Sequence, residues 1–88
     1  MPIAKIAVTR RFERAYTKLP RAIKEKAKQH EIIFRANPFD PRLNTHKLHG
    51  KDNEAWAFSI VRKFRIKFLF LASDSVLFLD VGTHDIYN

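Results

Sequence analysis

The last third of the chain constrains the fold most tightly. Trp56, Phe58 and Ile60 alternate with smaller or polar residues, Ile66, Phe68 and Phe70 alternate again, and Ser75–Val81 is almost wholly apolar. A period of two marks strands with one buried face. Only "RKF" and "SDS" break the run. Connections that short permit antiparallel pairing, whereas a parallel crossover needs a dozen or more residues. The C-terminal half therefore predicts a three-stranded antiparallel meander.

That sheet needs a covering layer, and the N-terminal half supplies it. Ile3–Val8 reads as a short strand. Thr9 then suits an N-cap, and Phe12, Ala15, Tyr16 and Leu19 recur at the spacing of an amphipathic helix. Pro20 suits the first turn of a second helix, where its missing N–H is no loss. That helix presents Ile23, Ala27, His30 and Phe34 on one stripe and is expected to stop at Asn37, because Pro38 disfavours a helical residue before it. Helices joined as tightly as "KLPR" form an antiparallel hairpin. The segment from Asn37 to Ala55 reads as turn chemistry throughout. The expected fold class is α+β: N-terminal strand, helix hairpin, then the meander, with the helices packed on one face of a twisted sheet.

Composition sets the bounds. Eighty-eight residues, 45% of them hydrophobic and eight of them phenylalanine, make one domain spanning 1–88 with a single core. There is no cysteine, so neither disulfides nor thiolate metal sites contribute. No run approaches the roughly 20 apolar residues that span a bilayer, and no signal-peptide pattern opens the chain, so a soluble cytoplasmic protein with no membrane partner is expected. The formal net charge is +8, and residues 1–35 carry ten basic and three acidic side chains. Arg10, Arg14 and Lys18 line the outside of the first helix, and Arg21, Lys24, Lys28 and Arg35 that of the second. With few acids among them, these faces suit an acidic partner or nucleic acid.

Four histidines offer chemistry near neutral pH. His30 sits on the apolar stripe and reads as a core or boundary residue. His46 and His49 fall in "THKLHG" and His84 in "GTHDIYN". Without cysteine or an HExxH pattern, no metal site and no cofactor are expected. If the bend at 46–50 packs near the end of the last strand, His46 and His84 flank a cleft, with Arg65 and Lys67 on the neighbouring strand. Such a set suits RNA cleavage without metal: a base takes the 2′-OH proton, an acid protonates the leaving 5′-oxygen, and cations stabilise the phosphorane. The requirement for a 2′-OH would restrict the site to RNA.

"KLP" with Ile23, "NPFDPRLNTHKLHG", Trp56, "FRIKF" and "VGTHDIY" together resemble the RelE/ParE toxin superfamily, in particular its RelE/YafQ/YoeB-like mRNA interferase branch, from Phe12 to Tyr87. The resemblance implies the toxin of a type II toxin–antitoxin system, a ribosome-dependent mRNA endonuclease (a hydrolase acting on mRNA) neutralised by an acidic antitoxin. By the same resemblance His46 is a general base, Arg65 a phosphate-binding residue, His84 an acid or base, and Tyr87 the terminal aromatic that orients substrate. Lys47, His49, Lys67 and Arg62 are the expected RNA-binding neighbours, and His49 or Glu54 remains an alternative base. Ser59 departs from the pattern, since active relatives often carry a cation there, which Arg62 or Lys63 would have to replace. Loss of such a cation implies weak activity. The alternative is a non-enzymatic ParE-like inhibitor of DNA gyrase, or a catalytically inactive homologue that binds RNA or antitoxin.

Overall fold

The computed structural model describes residues 2–50, 54–61, 63–83 and 86. Strand β1 (Lys5–Val8) leads into helices α1 (Arg10–Thr17) and α2 (Arg21–Ala36), followed by a short 3-10 turn (Pro41–Leu43) and strands β2 (His46–Lys47), β3 (Trp56–Ser59), β4 (Arg65–Ala72) and β5 (Ser75–Gly82). The five strands form one sheet in the order β1-β5-β4-β3-β2. β3, β4 and β5 make the expected antiparallel meander, β1 joins β5 in parallel, and β2 joins β3 antiparallel.

Local chemistry sets the element ends. Thr9 caps α1, its hydroxyl accepting from the Phe12 N–H at 3.0 Å while donating to the Leu79 carbonyl at 2.8 Å. One side chain thus satisfies a helix end and fastens it to β5. Pro20 is the N-cap of α2, and the Asn37 N–H closes the helix on the Ile33 carbonyl. The helix hairpin and both predicted helix ends are as the sequence implies.

The segment after α2 differs from the expectation of turn chemistry throughout. It contains the 3-10 turn and the edge strand β2, and side chains organise it. Asn37 Oδ1 accepts from the Phe39 N–H at 3.0 Å, Asp40 Oδ1 from the Arg42 N–H at 2.9 Å, and Thr45 Oγ1 donates to the Pro38 carbonyl at 2.6 Å. A direct hydrogen bond from the Arg42 side chain, then the Arg42 N–H, hold the Asp40 carboxyl down to about 2. Leu43 plugs the segment into the core. Turn residues here build structure instead of merely connecting it.

Phenylalanines fill the main core. Phe34 of α2 is fully buried, with ring centroids 4.6 Å from Phe58, 5.0 Å from Phe68 and 5.7 Å from Phe78. Phe12, Leu19 and Ala27 complete the helical side, and Ile66, Val76 and Val81 the strand side. The opposite face of the sheet carries a much smaller apolar cluster of Leu48, Ala55 and Ala57, flanked by Leu69 and Leu79. The helices therefore cover one face only. Among the described residues, no helix is long and apolar enough to cross a membrane.

Phe34→Ala removes the ring on which three others converge. It should cost about 3–5 kcal/mol, read as a lower denaturation midpoint at constant m-value in a urea titration.

Candidate functional site

Strand alternation determines which side chains share the uncovered face. Ile66 and Phe68 point into the core, so Arg65 and Lys67 point away from it. In register, Ser59 lies opposite Arg65 and Arg65 opposite Gly82, while His46 lies opposite Ala57 and Ala57 opposite Lys67. Residues opposed across strands share a face. His46 and Lys67 thus belong to one row, second-neighbour strands apart, or roughly 10 Å at about 4.8 Å per strand. Arg65 and Ser59 occupy the adjoining row.

His46 is oriented by its own loop. Asn44 adopts a left-handed conformation (φ 51°), which turns the chain from the 3-10 turn into β2, and asparagine is among the few residues that tolerate it. The His46 Nδ1 then lies 3.0 Å from the Asn44 carbonyl. A carbonyl only accepts, so Nδ1 carries a proton and Nε2 is the basic nitrogen of the neutral ring.

Lys67 reaches along the face, its Nζ donating to the Ile86 carbonyl at 3.4 Å. Ile86 is itself buried and packs on Gly82, where an added Cβ would come to 3.0 Å from Ile86 Cγ2. Glycine at the end of β5 is what lets the following chain lie so close. Arg65 Nη1 donates to the Phe64 carbonyl at 3.4 Å.

Other expected residues lie elsewhere. Lys47 belongs to the opposite face, its Nζ 6.0 Å from the Trp56 ring centroid. His49 is exposed just before Gly50, and Glu54 is exposed just before Ala55. His84, Tyr87 and Arg62 lie outside the described residues. The expected flanking of one cleft by His46 and His84 falls outside the described residues, as His84 does. β3 and β4 stand between β2 and β5, roughly 14 Å of sheet. His30, on the helical side, is half-buried with Nδ1 2.9 Å from the Lys26 carbonyl, as befits a boundary residue.

Two residues escaped the sequence reading. Asp80 is the buried charged residue among those described. Its Oδ1 accepts from the Val81 N–H at 2.9 Å, and its Oδ2 lies 3.0 Å from Arg11 Nε. A register slip places it there. Phe68 pairs with Phe78 but Lys67 with Asp80, so Leu79 is an extra residue on β5. Such a bulge re-aims the next side chain. Simple alternation with Val76 and Phe78 would have driven the carboxylate into the phenylalanine core, and the slip brings it beside Lys67 instead. The available signal was a lone carboxylate within an apolar strand.

On the helical side, Ile6, Val8, Phe12, Tyr16 and Ala27 floor a cavity of about 330 Å³ rimmed by Lys28, Glu31 and Arg35. Burial, and less so the Glu31 charge, raise the Tyr16 phenol above its usual range.

No protein-family model matches the chain, and no curated protein matches it in sequence. Solved structures do match it in shape. A YoeB/ParE toxin from Agrobacterium tumefaciens superposes with a TM-score of 0.76 at 15% identity, covering 92% of this chain and 99% of that one. The RelBE2 toxin–antitoxin complex of Mycobacterium tuberculosis gives 0.77 at 16% identity, over 96% of this chain and 100% of that one. The E. coli DinJ–YafQ toxin–antitoxin complex gives 0.74 at 14% identity, over 98% and 97%. The chain has the RelE/ParE toxin fold. The resemblance drawn from the motifs thus holds for the architecture across nearly the whole chain.

The ring assignment is open to direct measurement. In 15N-correlated spectra of the neutral His46 ring, the proton should reside on Nδ1. A proton on Nε2 of the neutral ring would remove the proposed basic nitrogen.

Proposed function

We propose that this protein is the toxin of a toxin–antitoxin pair and acts as a metal-independent mRNA endonuclease on the ribosome. The observation that carries the reading is the shared row of His46 and Lys67, with Arg65 beside it, on the face that a RelE-type sheet leaves uncovered. In this scheme His46 Nε2 takes the proton from a ribose 2′-OH. The 2′-oxygen attacks the adjacent phosphorus and the P–O5′ bond breaks, giving a 2′,3′-cyclic phosphate. His84, two residues beyond β5 in sequence, protonates the departing 5′-oxygen. Arg65 and Lys67 offset the charge that builds on the phosphorane, and Tyr87 stacks on a base. Arg62 and His49 add attraction for the RNA backbone.

Ser59 is the weak point of this chemistry. It lies opposite Arg65 on the same face, where relatives of the interferase branch often place a second cation. A rate about 100-fold below that of such relatives follows, the loss that removal of one oxyanion donor produces. The same serine is what favours the second reading, a non-enzymatic poison of a target such as DNA gyrase.

The partner in either reading is an acidic antitoxin. Toxin–antitoxin complexes are the form in which two of the three structural neighbours described above were solved. On this chain, the apolar cavity rimmed by Lys28 and Arg35 suits a segment that alternates apolar and acidic side chains. Salt should slow association with it.

Primer extension on a defined mRNA in a translating extract tests the reading. Cuts within translated codons are expected, reduced about 100-fold or more in His84→Ala and His46→Gln, the range for lost acid–base groups. Growth arrest in cells without cuts in the extract would transfer the assignment to the gyrase-type reading.

A further inference from the structure

We propose that the cleft between the start of α1 and the open face of β4 and β5 is a phosphate subsite for a single-stranded RNA backbone. Arg11 is its ligand, and Asp80 is the residue that aims Arg11. The cleft, about 270 Å³, is lined by Thr9, Arg11, Lys67, Leu79 and Asp80. The choice of RNA rests on the endonuclease reading above. The site itself rests on geometry.

Asp80 is an anchor and Arg11 is the free end. The carboxylate side chain is 11% exposed, while the arginine side chain paired with it, Nε to Oδ2 at 3.0 Å, is 70% exposed. A guanidinium has five donors in a rigid fork. The ion pair at Nε pins the head of a side chain that stays largely exposed at the cleft. A surface arginine ordinarily sacrifices rotamer freedom when it grips a phosphate. One already fixed against a buried carboxylate loses less. Asp80 is fixed in turn by the Val81 N–H and by the bulge at Leu79. The Thr9 hydroxyl ties the same helix turn to the Leu79 carbonyl, so the backbone carrying Arg11 is held by the strand carrying Asp80.

Position selects the ligand. Asp80 lies opposite Lys67, and Lys67 shares the row that ends in His46. The cleft prolongs that row by one strand, to β5, beside which α1 begins. A nucleic-acid backbone laid along the row from His46 would bring a phosphate next to the scissile one toward Lys67 and Arg11. Among the described residues that line the cleft, two cations face one carboxylate, and that carboxylate is far less exposed than the Arg11 side chain. An acidic peptide presents the same anionic chemistry but has no reason to follow that row.

The test is fluorescence anisotropy with the purified full chain and a 12-nucleotide 2′-O-methyl RNA, which binds but cannot be cut. The affinity is followed from low to moderate salt. Arg11→Gln should lower the slope of log K against log salt by about 0.7, the value for one phosphate contact on a single strand. Lys26→Gln, the same charge loss on the exposed side of α2, should leave the slope unchanged. Asp80→Asn keeps an acceptor for the Val81 N–H and raises the net charge by one. Charge alone predicts tighter RNA binding, whereas loss of aim predicts weaker binding, and the weaker result is expected. Thermal melts establish that each variant is folded, and should Asp80→Asn not fold, the Arg11→Gln slope decides alone.

An unchanged slope in Arg11→Gln, or equal effects of Arg11→Gln and Lys26→Gln, would overturn the subsite. So would a wild-type chain with no measurable RNA binding. A loss in Arg11→Gln seen only with an oligoglutamate peptide would assign the fork to an acidic protein and overturn it equally. An extract without mRNA cuts, alongside an Arg11-dependent slope, would sink the endonuclease reading and leave the subsite standing.

Discussion

Everything on the open face depends on one ring on the closed face. Phe34 stacks on Phe58 and meets Phe68 and Phe78 edge-on, so α2 is seated across the three strands of the meander at once. Offset and edge-to-face contacts of this kind each add about 0.5–1.5 kcal/mol beyond area burial. They also fix the phase of all three strands, because a one-residue slip would turn every ring outward. Once Phe58, Phe68 and Phe78 are committed to the helices, Ser59, Arg65 and Lys67 have nowhere to go but the other side. A chain this short, with two helices, cannot cover both faces. Its polar face is the consequence of its core.

The features legible in the sequence were those set by nearby residues. Strand alternation, the Thr9 cap, the tight helix hairpin and the stop at Asn37 each follow from a few neighbouring side chains. Non-local events were not legible. The parallel union of β1 with β5 joins Lys5 to Ser75, and nothing in "KIAV" names its partner. The two-residue strand β2 is too short to carry a period, so Lys47 was grouped with His46 although alternation separates them. Arg11 was hidden for a related reason. On a helix surface crowded with cations, each one reads as solvated until a buried acid is found beneath it.

The charge distribution takes on a different meaning once the fold is known. An excess of +8 on so small a body steers polyanions from all directions and is weakened by salt. Such a field attracts without selecting. Selection requires cations held at fixed places, and the open face supplies two kinds. Lys67 is held by its reach to the Ile86 carbonyl, and Arg11 by a buried carboxylate.

The first turn of α1 is where the two sides of the molecule meet. Phe12 lines the cavity on the helical side, and Arg11, one residue earlier, lines the cleft on the open side. Both depend on Thr9, whose hydroxyl caps the helix and grips β5 at the bulge. A segment packed against Phe12 therefore bears on the turn that carries Arg11, through one peptide unit and not through a long chain of contacts. A partner seated among the helices would touch the same rigid turn that an RNA backbone would use from the other side. The two surfaces thus share one cap, one bulge and one salt bridge.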